Sequence, residues 1–477
     1  MAKPTIRRFE AAKFQRTLAD WIQSQMDTFD TELKNDLPTL RARSRDASIN
    51  DPYARRYFKS ITTNVIGPDG IRLKMAVRNG TGKPDTLANI LIEERWERFS
   101  RNVTTDGQNM REALKLFLET VARDGEVFVV IRRGEQFGPY MMQLQFFESE
   151  YVDVKYDGRA KNGNRIVAGI ERDEYSKPVA YYFFKHHPQS HGQYNAERIR
   201  IPAKDVIHGY SRERVMQGRG YPWLSAGLIA LTHLKEYQKS ELIAARIASA
   251  KMGFFTRPPG ENELGDEEDP NDENALRQEV EAGVFDILPS GYSLQTFDPQ
   301  NPTANFGNFV KIILRSVAAS VGVSYHTLAN DLESTSYSSL RQGALDERET
   351  FKELQMLLIE RFLTPVFEEW LNLVLAFRLD NIRLPLELYD KFNTPHWRPR
   401  TWQWIDPQKE TNAIKAQLDY KLRSRTDVAR ALGMDYMDVL NEIAAENANA
   451  ENVGVQLNPE APPEEQPEQP QEDEDNE

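Results

Sequence analysis

Any chemistry in this 477-residue chain must come from carboxylates, hydroxyls, lysines and seven histidines, because it contains no cysteine. Disulfides, thiolate nucleophiles and cysteine-ligated zinc or iron–sulfur sites are thereby excluded. His186, His187 and His191 cluster in KHHPQSHG, and a metal site is conceivable there. No carboxylate stands near them in sequence, so they read as a solvated turn between strands and no metal is assigned. Asp124 and Glu126 could be imagined as an acid/base pair, but Asp124-Gly125 before a strand is a turn signature, and that structural reading is preferred. His208 follows a strand and His326 opens a polar segment, both without neighbours that would activate them. Phosphate-cradling glycine loops, a dinucleotide fingerprint, H-E-x-x-H, G-x-S-x-G and an EF-hand loop are all absent. No cofactor is expected.

The elements that would carry these residues fall into an α+β order. Phe9 to Leu40 is helical in period and should end near Pro38. Asn50 or Asp51 before Pro52 marks the next helix start, with Arg55, Arg56 and Lys59 on a face read as solvated. Leu87 to Ser100 and Met110 to Arg123 are further helices. After Gly125 the period drops to two, and EVFVVIRRG, YMMQLQFFES, YVDVKYDG, RIVAGIERD and PVAYYFFK predict an antiparallel meander. RIRIPAKDVIHGY adds a strand before the arginine- and glycine-containing run SRERVMQGRGYPWL. Leu224 to Met252 and Asn305 to Val321 are helices flanking a small β insert with an acidic loop. The chain beyond Phe377 returns through extended segments, IRLPLELYD and HWRPRTWQWID, to helices after Asp406-Pro407, where Asp406 and Glu410 look like a cap and an acidic first turn.

The most telling stretch is Ser324 to Phe377, where the polar HTLANDLESTSYSS precedes apolar residues at three-to-four spacing from Leu340 to Phe377. A helix of that length spans on the order of 60 Å, more than one compact core covers, so its face is expected to be buried by an assembly. Pro365 inside the pattern predicts a kink.

Composition is that of a globular chain, 40% hydrophobic and 28% charged. No run of eighteen apolar residues occurs, and MAKPTIRRFEAAKF has charge but no apolar core behind it, so neither a membrane span nor a signal peptide is expected, and the chain should stay in the cytoplasm that makes it. A net charge of -13 argues against a broad basic face for gripping nucleic acid. Much of that charge is local, in the run from Glu261 (ENELGDEEDPNDEN) and in the final acidic stretch, which reads as a disordered tail.

In this order the chain resembles the bacteriophage portal proteins of the lambda family. The resemblance rests on NDPYARRYFKSITTNVIGPDGIRL, DGEVFVVI, IPAKDVIHGYSRERVMQGRGYPWL, LRSVAASVGVSYHTLANDLESTSYSSLRQGALDERETF and WQWIDPQKE, spread over about residues 40 to 450. It implies a ring-forming portal fold: an α/β wing, a helical stem, a small β-containing clip, a long kinked helix and a helical crown. By residue these are the wing at 1–223, stem helices at 224–252 and 305–322, and the clip at 253–304 between them. The tunnel loop is 323–338, the long kinked helix with its wing return 339–404, the crown 405–450 and the acidic tail 451–477. The resemblance further implies a dodecamer at one capsid vertex, part of the virion and assembled in the host cytoplasm. Double-stranded DNA would pass through it without sequence specificity, driven in by the terminase large subunit. Head-tail adaptors and the major capsid and scaffold proteins would be its other partners, and any maturation protease would be a separate chain. Asn330, Asp331, Leu332, Glu333, Ser334, Thr335 and Ser336 would form the DNA-channel loop. Glu261, Glu263, Asp266, Glu267, Glu268 and Asp269 would lie on the clip docking surface, in a run longer than the family pattern leads one to expect.

Electrostatics agrees with a conduit, because six to ten phosphate contacts hold DNA strongly at low salt and would stop it sliding. The candidate loop contains Asp331 and Glu333 and no lysine or arginine, which predicts a non-basic lining. The competing reading is a nucleic-acid-processing enzyme using carboxylate-bound metal, which would need basic surface to hold its substrate. A monomeric adaptor is a third.

Overall fold

The computed structural model describes residues 28–189, 197–249, 253–256, 293–296, 306–333, 336–402 and 407–454, in two units. Met75–Pro395, with the described residues up to Pro68, forms the first, and Asp69–Lys74 with the residues from His396 onward forms the second.

In the first unit, α1 (Phe29–Asn50) runs on through Pro38, where the sequence predicted a stop. Leu33, Leu37, Arg41, Ser44 and Ala47 keep one buried face on both sides of the proline, so burial outweighs its local penalty. α2 (Pro52–Val65) starts where expected: Asp51 accepts hydrogen bonds from the backbone N–H groups of Tyr53 and Ala54, and Pro52 fills the first turn. After β1 (Arg72–Met75) and α3 (Thr86–Ser100), α4 (Met110–Asp124) opens with a reciprocal Asn109/Glu112 capping box and stops at Gly125, whose φ is 91°.

The expected meander divides into two sheets. The strands are β2 (Glu126–Arg133), β3 (Met142–Phe147), β4 (Gly158–Arg159), β5 (Arg165–Val167), β6 (Ile170–Arg172), β7 (Pro178–Phe184), β8 (Arg198–Pro202) and β9 (Val206–Tyr210). One sheet has the order β3-β2-β9 and the other β4-β5-β6-β7-β8, with antiparallel neighbours throughout. A 3-10 turn at Ser149–Tyr151 and a turn at Val154–Lys155 break the meander, and YVDVKYDG, read as a strand, keeps only an isolated bridge from Val152 to Phe183 before β4 begins at Gly158. Phe128, Val130 and Val206 of the first sheet pack on Ile170, Tyr181 and Phe183 of the second. Phe117 of α4 lies against Gly209 on β9, so β2 is covered on both faces and its first six residues are buried.

A 3-10 turn at Trp223–Ala226 leads into α5 (Leu228–Ser249). β10 (Gly253–Thr256) pairs antiparallel with β11 (Ser293–Thr296), and α6 (Phe306–Ser320) packs on α5 through Tyr237 with Phe306 and Phe309. α7 (Tyr325–Ala329) is a single turn or so inside the segment read as loop. Tyr337–Phe377 is then helical throughout: α8 (Tyr337–Leu358), a π-turn at Ile359–Leu363, and α9 (Thr364–Phe377). Pro365 has no N–H for the carbonyl four residues back, and the widened turn sits immediately before it, closed by the Thr364 N–H on the Ile359 carbonyl. The helix is anchored within the chain by an aromatic cluster in which Trp370 meets Trp96 of α3 edge-on at 5.3 Å, with Phe99 and Phe367 alongside. IRLPLELYD, read as extended, contains a 3-10 turn at Leu386–Leu388 and α10 (Tyr389–Phe392).

β12 (Pro395–Arg398) pairs with β1, and the second unit continues as α11 (Pro407–Asp419), α12 (Arg425–Ala431) and α13 (Tyr436–Val453). Arg398 pairs with Asp435 and Lys74 with Asp438, while the core is thin: Ala429 is buried, whereas Tyr420, Leu422 and Met437 are exposed. α13 reaches three residues into the segment read as tail.

Candidate functional site

The polar segment before the long helix is held at its root from three directions. Ser324 caps α7, and Asn330, in the left-handed region at φ 55°, ends it. From α8, Glu347 accepts from the Ser324 backbone N–H at 3.0 Å and from the Thr327 hydroxyl at 2.8 Å. From α2, Arg56 donates to the Thr327 carbonyl and to Asn330 Oδ1, both at 3.2 Å. From α6, Lys311 Nζ stands 3.6 Å from Asp331 Oδ2.

Asp331 also accepts from the Tyr325 hydroxyl at 2.7 Å and from the Glu333 N–H at 2.9 Å. The Tyr325 hydroxyl, then that N–H, hold its carboxyl below the usual range, and burial with the same contact pushes the Tyr325 phenol up to about 12. His326 Nδ1 lies 2.6 Å from the Asp331 carbonyl, which can only accept, so the proton is on Nδ1. Leu332 is 66% exposed, and Ser336 caps α8 through the Ser339 N–H. Ser334 and Thr335 lie outside the described residues, as do Glu261, Glu263, Asp266, Glu267, Glu268, Asp269 and Asp406.

Asp124 and Glu126 are both fully buried, and both are committed to guanidinium groups. Asp124 takes a bidentate pair from Arg45 (2.9 and 2.8 Å) and another from Arg123 (2.9 and 3.0 Å). Glu126 receives Arg219, Arg41, the Gly220 N–H and His208 Nε2 at 2.9 Å. Burial alone would raise the Glu126 carboxyl, but Arg219 and Arg41 outweigh it and hold the group well below the usual range. His208 therefore has the partner that its sequence neighbourhood lacked. Its ring stacks on Phe128 at 4.3 Å, and burial lowers its pKa despite Glu126, so it serves as a neutral donor. The arrangement knits α1, β2, β9 and the turn at Gly218–Gly220 together and leaves neither carboxylate free to move a proton. Arg41 and Arg219 escaped the sequence reading, although Arg219 lies in the arginine-glycine run noted there.

The histidine cluster also gains partners from elsewhere in the chain. Glu148, Glu150 and His187 place one ligand atom each within 4.8 Å of one another, supplying the carboxylates that the linear sequence lacked. Yet the Gln189 N–H donates to His187 Nδ1 at 3.2 Å, which puts the neutral imidazole proton on Nε2, the atom 3.2 Å from Glu148. Glu150 is meanwhile held by Arg45 at 2.9 Å. In this arrangement the His187 Nε2 carries a proton and Glu150 is paired with Arg45. His186 is exposed and His191 lies outside the described residues.

Asp124, Glu126 and His208 are thus all engaged within the fold. A sequence model of the phage portal proteins of the lambda family matches residues 14–355. The probable portal protein of Halomonas phage phiHAP-1 is 33% identical over 468 residues, covering 95% of this chain and 89% of that one. The chain belongs to the lambda family of phage portal proteins, which is structural rather than enzymatic. Among solved structures, the neck of a native gene transfer agent particle computed with C12 symmetry aligns at 13% identity over 84% of this chain and 93% of that one, with a TM-score of 0.46. The neck of an empty gene transfer agent particle computed with C6 symmetry aligns at 15% identity over the same shares, with a TM-score of 0.45. Among the described residues no helix is long and apolar enough to cross a membrane.

Proposed function

We propose that twelve copies of this chain form the ring at one capsid vertex through which double-stranded DNA is packaged by the terminase large subunit and later ejected. Head-tail adaptors dock on the same ring, the capsid and scaffold proteins surround it, and no reaction is catalysed. Family membership carries this reading. The helices taken as stem support it: Ile229, Leu242 and Ile243 of α5 and Phe309 and Ile312 of α6 are 46–66% exposed in one chain. A neighbouring copy would cover them, as it would the thin core of the second unit. In this reading Asn330 to Ser336 face the DNA, the helix bends at Pro365 to carry their root outward, and the acidic residues 261–269 belong to the docking surface.

Native mass spectrometry of the purified chain tests the ring directly. A closed oligomer of about twelve subunits is expected, and a stable monomer at micromolar concentration would overturn it.

A further inference from the structure

The candidate loop has no cation of its own, yet three stand directly behind it. Arg56 of α2 reaches Thr327 and Asn330, Lys311 of α6 reaches Asp331, and Arg315, one turn along α6, lies 5.4 Å over the Tyr325 ring. All three converge on the seven residues from Tyr325 to Asp331, and Arg56 and Arg315 are exposed. Asp331 is fixed by the Tyr325 hydroxyl and the Glu333 N–H, and of the three cations it pairs with Lys311.

We propose that Arg56, Lys311 and Arg315 form a binding site for phosphodiester groups of duplex DNA in which Asp331 keeps the Lys311 charge masked. The reason is electrostatic. A cation already paired with a fixed carboxylate brings little net charge to a phosphate, so it displaces few of the counterions condensed on DNA and gains little of the driving force for non-specific binding. With Lys311 unmasked, the three cations repeated around a ring would grip. The loop root thus carries positive charge that organises Tyr325–Asp331 without retarding DNA, and Asp331 is the residue that keeps those two roles apart. This inference rests on the reading that the loop faces DNA.

The test compares the assembled wild-type chain with Asp331→Asn and with Asp331→Asn/Lys311→Gln, using a fluorescein-labelled random-sequence duplex titrated across about 50 to 200 mM salt. Wild type should bind weakly with a shallow salt slope. Asp331→Asn should bind more tightly, with the slope of log K against log salt steeper by about 0.9 for each phosphate taken. The double variant should return to the wild-type slope. An unchanged slope in Asp331→Asn overturns the proposal. So does a gain that survives in the double variant, since loss of carboxylate repulsion alone would then explain it. A photo-crosslinker at Leu332 tests the underlying reading separately: if it fails to capture DNA during packaging, the loop does not face DNA, whatever the titrations give.

Discussion

Arg219 and Glu126 form an ion pair in which both side chains are 0% exposed, Arg219 donating from Nε to Oε1 at 2.8 Å while its Nη1 reaches the Ala168 carbonyl at 2.7 Å. Removing one charge strands the other in a medium that cannot solvate it. Glu126→Gln should therefore cost about 3–5 kcal/mol of stability, read as a lowered denaturant midpoint. A cost below about 1 kcal/mol, the range of exposed pairs, would show that water reaches this network.

Stability should also fall on mild acidification. Burial holds the folded His208 pKa below its ordinary value, so the unfolded chain takes up that proton first as pH drops below about 6.5. The contribution is present above that pH and is lost as pH falls toward the folded value. The lowered pKa of Glu126 acts in the same direction below about 4.5. Melting temperatures between about pH 7 and 5.5 should decline in the wild type and flatten in His208→Gln. Equal slopes in the two proteins would remove His208 from the account.

Gly125 has no tolerable substitute. Its φ of 91° suits glycine, and an added Cβ would lie 2.3 Å from the Tyr221 backbone. Gly125→Ala should lose more than the ~1 kcal/mol typical of a left-handed position alone, because strand β2 or the Tyr221 turn must also shift. Circular-dichroism melts of the purified variant give the number.

The exposed apolar faces of α5 and α6 should matter to assembly rather than to the fold of one chain. Ile229→Ser with Ile312→Ser removes side chains that are 66% and 62% exposed, so monomer stability should move by under about 0.5 kcal/mol. Oligomer seen by native mass spectrometry should drop markedly. Full retention of the oligomer would place the contact elsewhere.

Deleting the loop is best done without touching its far anchor. Ser336 caps α8, and loss of an N-cap costs about 1 kcal/mol, so a deletion of Leu332 to Ser336 would confound loop with helix. Removing residues 332–335 alone should leave assembly intact and reduce DNA packaged per particle. Lost assembly would instead make this segment a subunit contact.

Features encoded by neighbours in the chain were legible in the sequence. Asp51-Pro52 and Asp124-Gly125 each specify a helix end through hydrogen bonds or backbone angles spanning a few residues. The ordered blocks pointed to the family for a similar reason, since they preserve local pattern. The path of α1 through Pro38 was not legible, because burial of Leu37 and Arg41 overrides a local penalty. Nor was the division of the meander, which depends on how two sheets pack face to face.

The charges show the difference most plainly. The sequence by itself determined that the segment from Asn330 to Ser336 carries carboxylates and no cation. Only the tertiary structure brought Lys311 and Arg56 to it, from 20 and 274 positions before Asp331 and Asn330 respectively, and Arg219 to Glu126 across 93. Ion pairing depends on distance in space, which sequence separation does not measure, so which charges are masked, buried or free was decided by the fold alone.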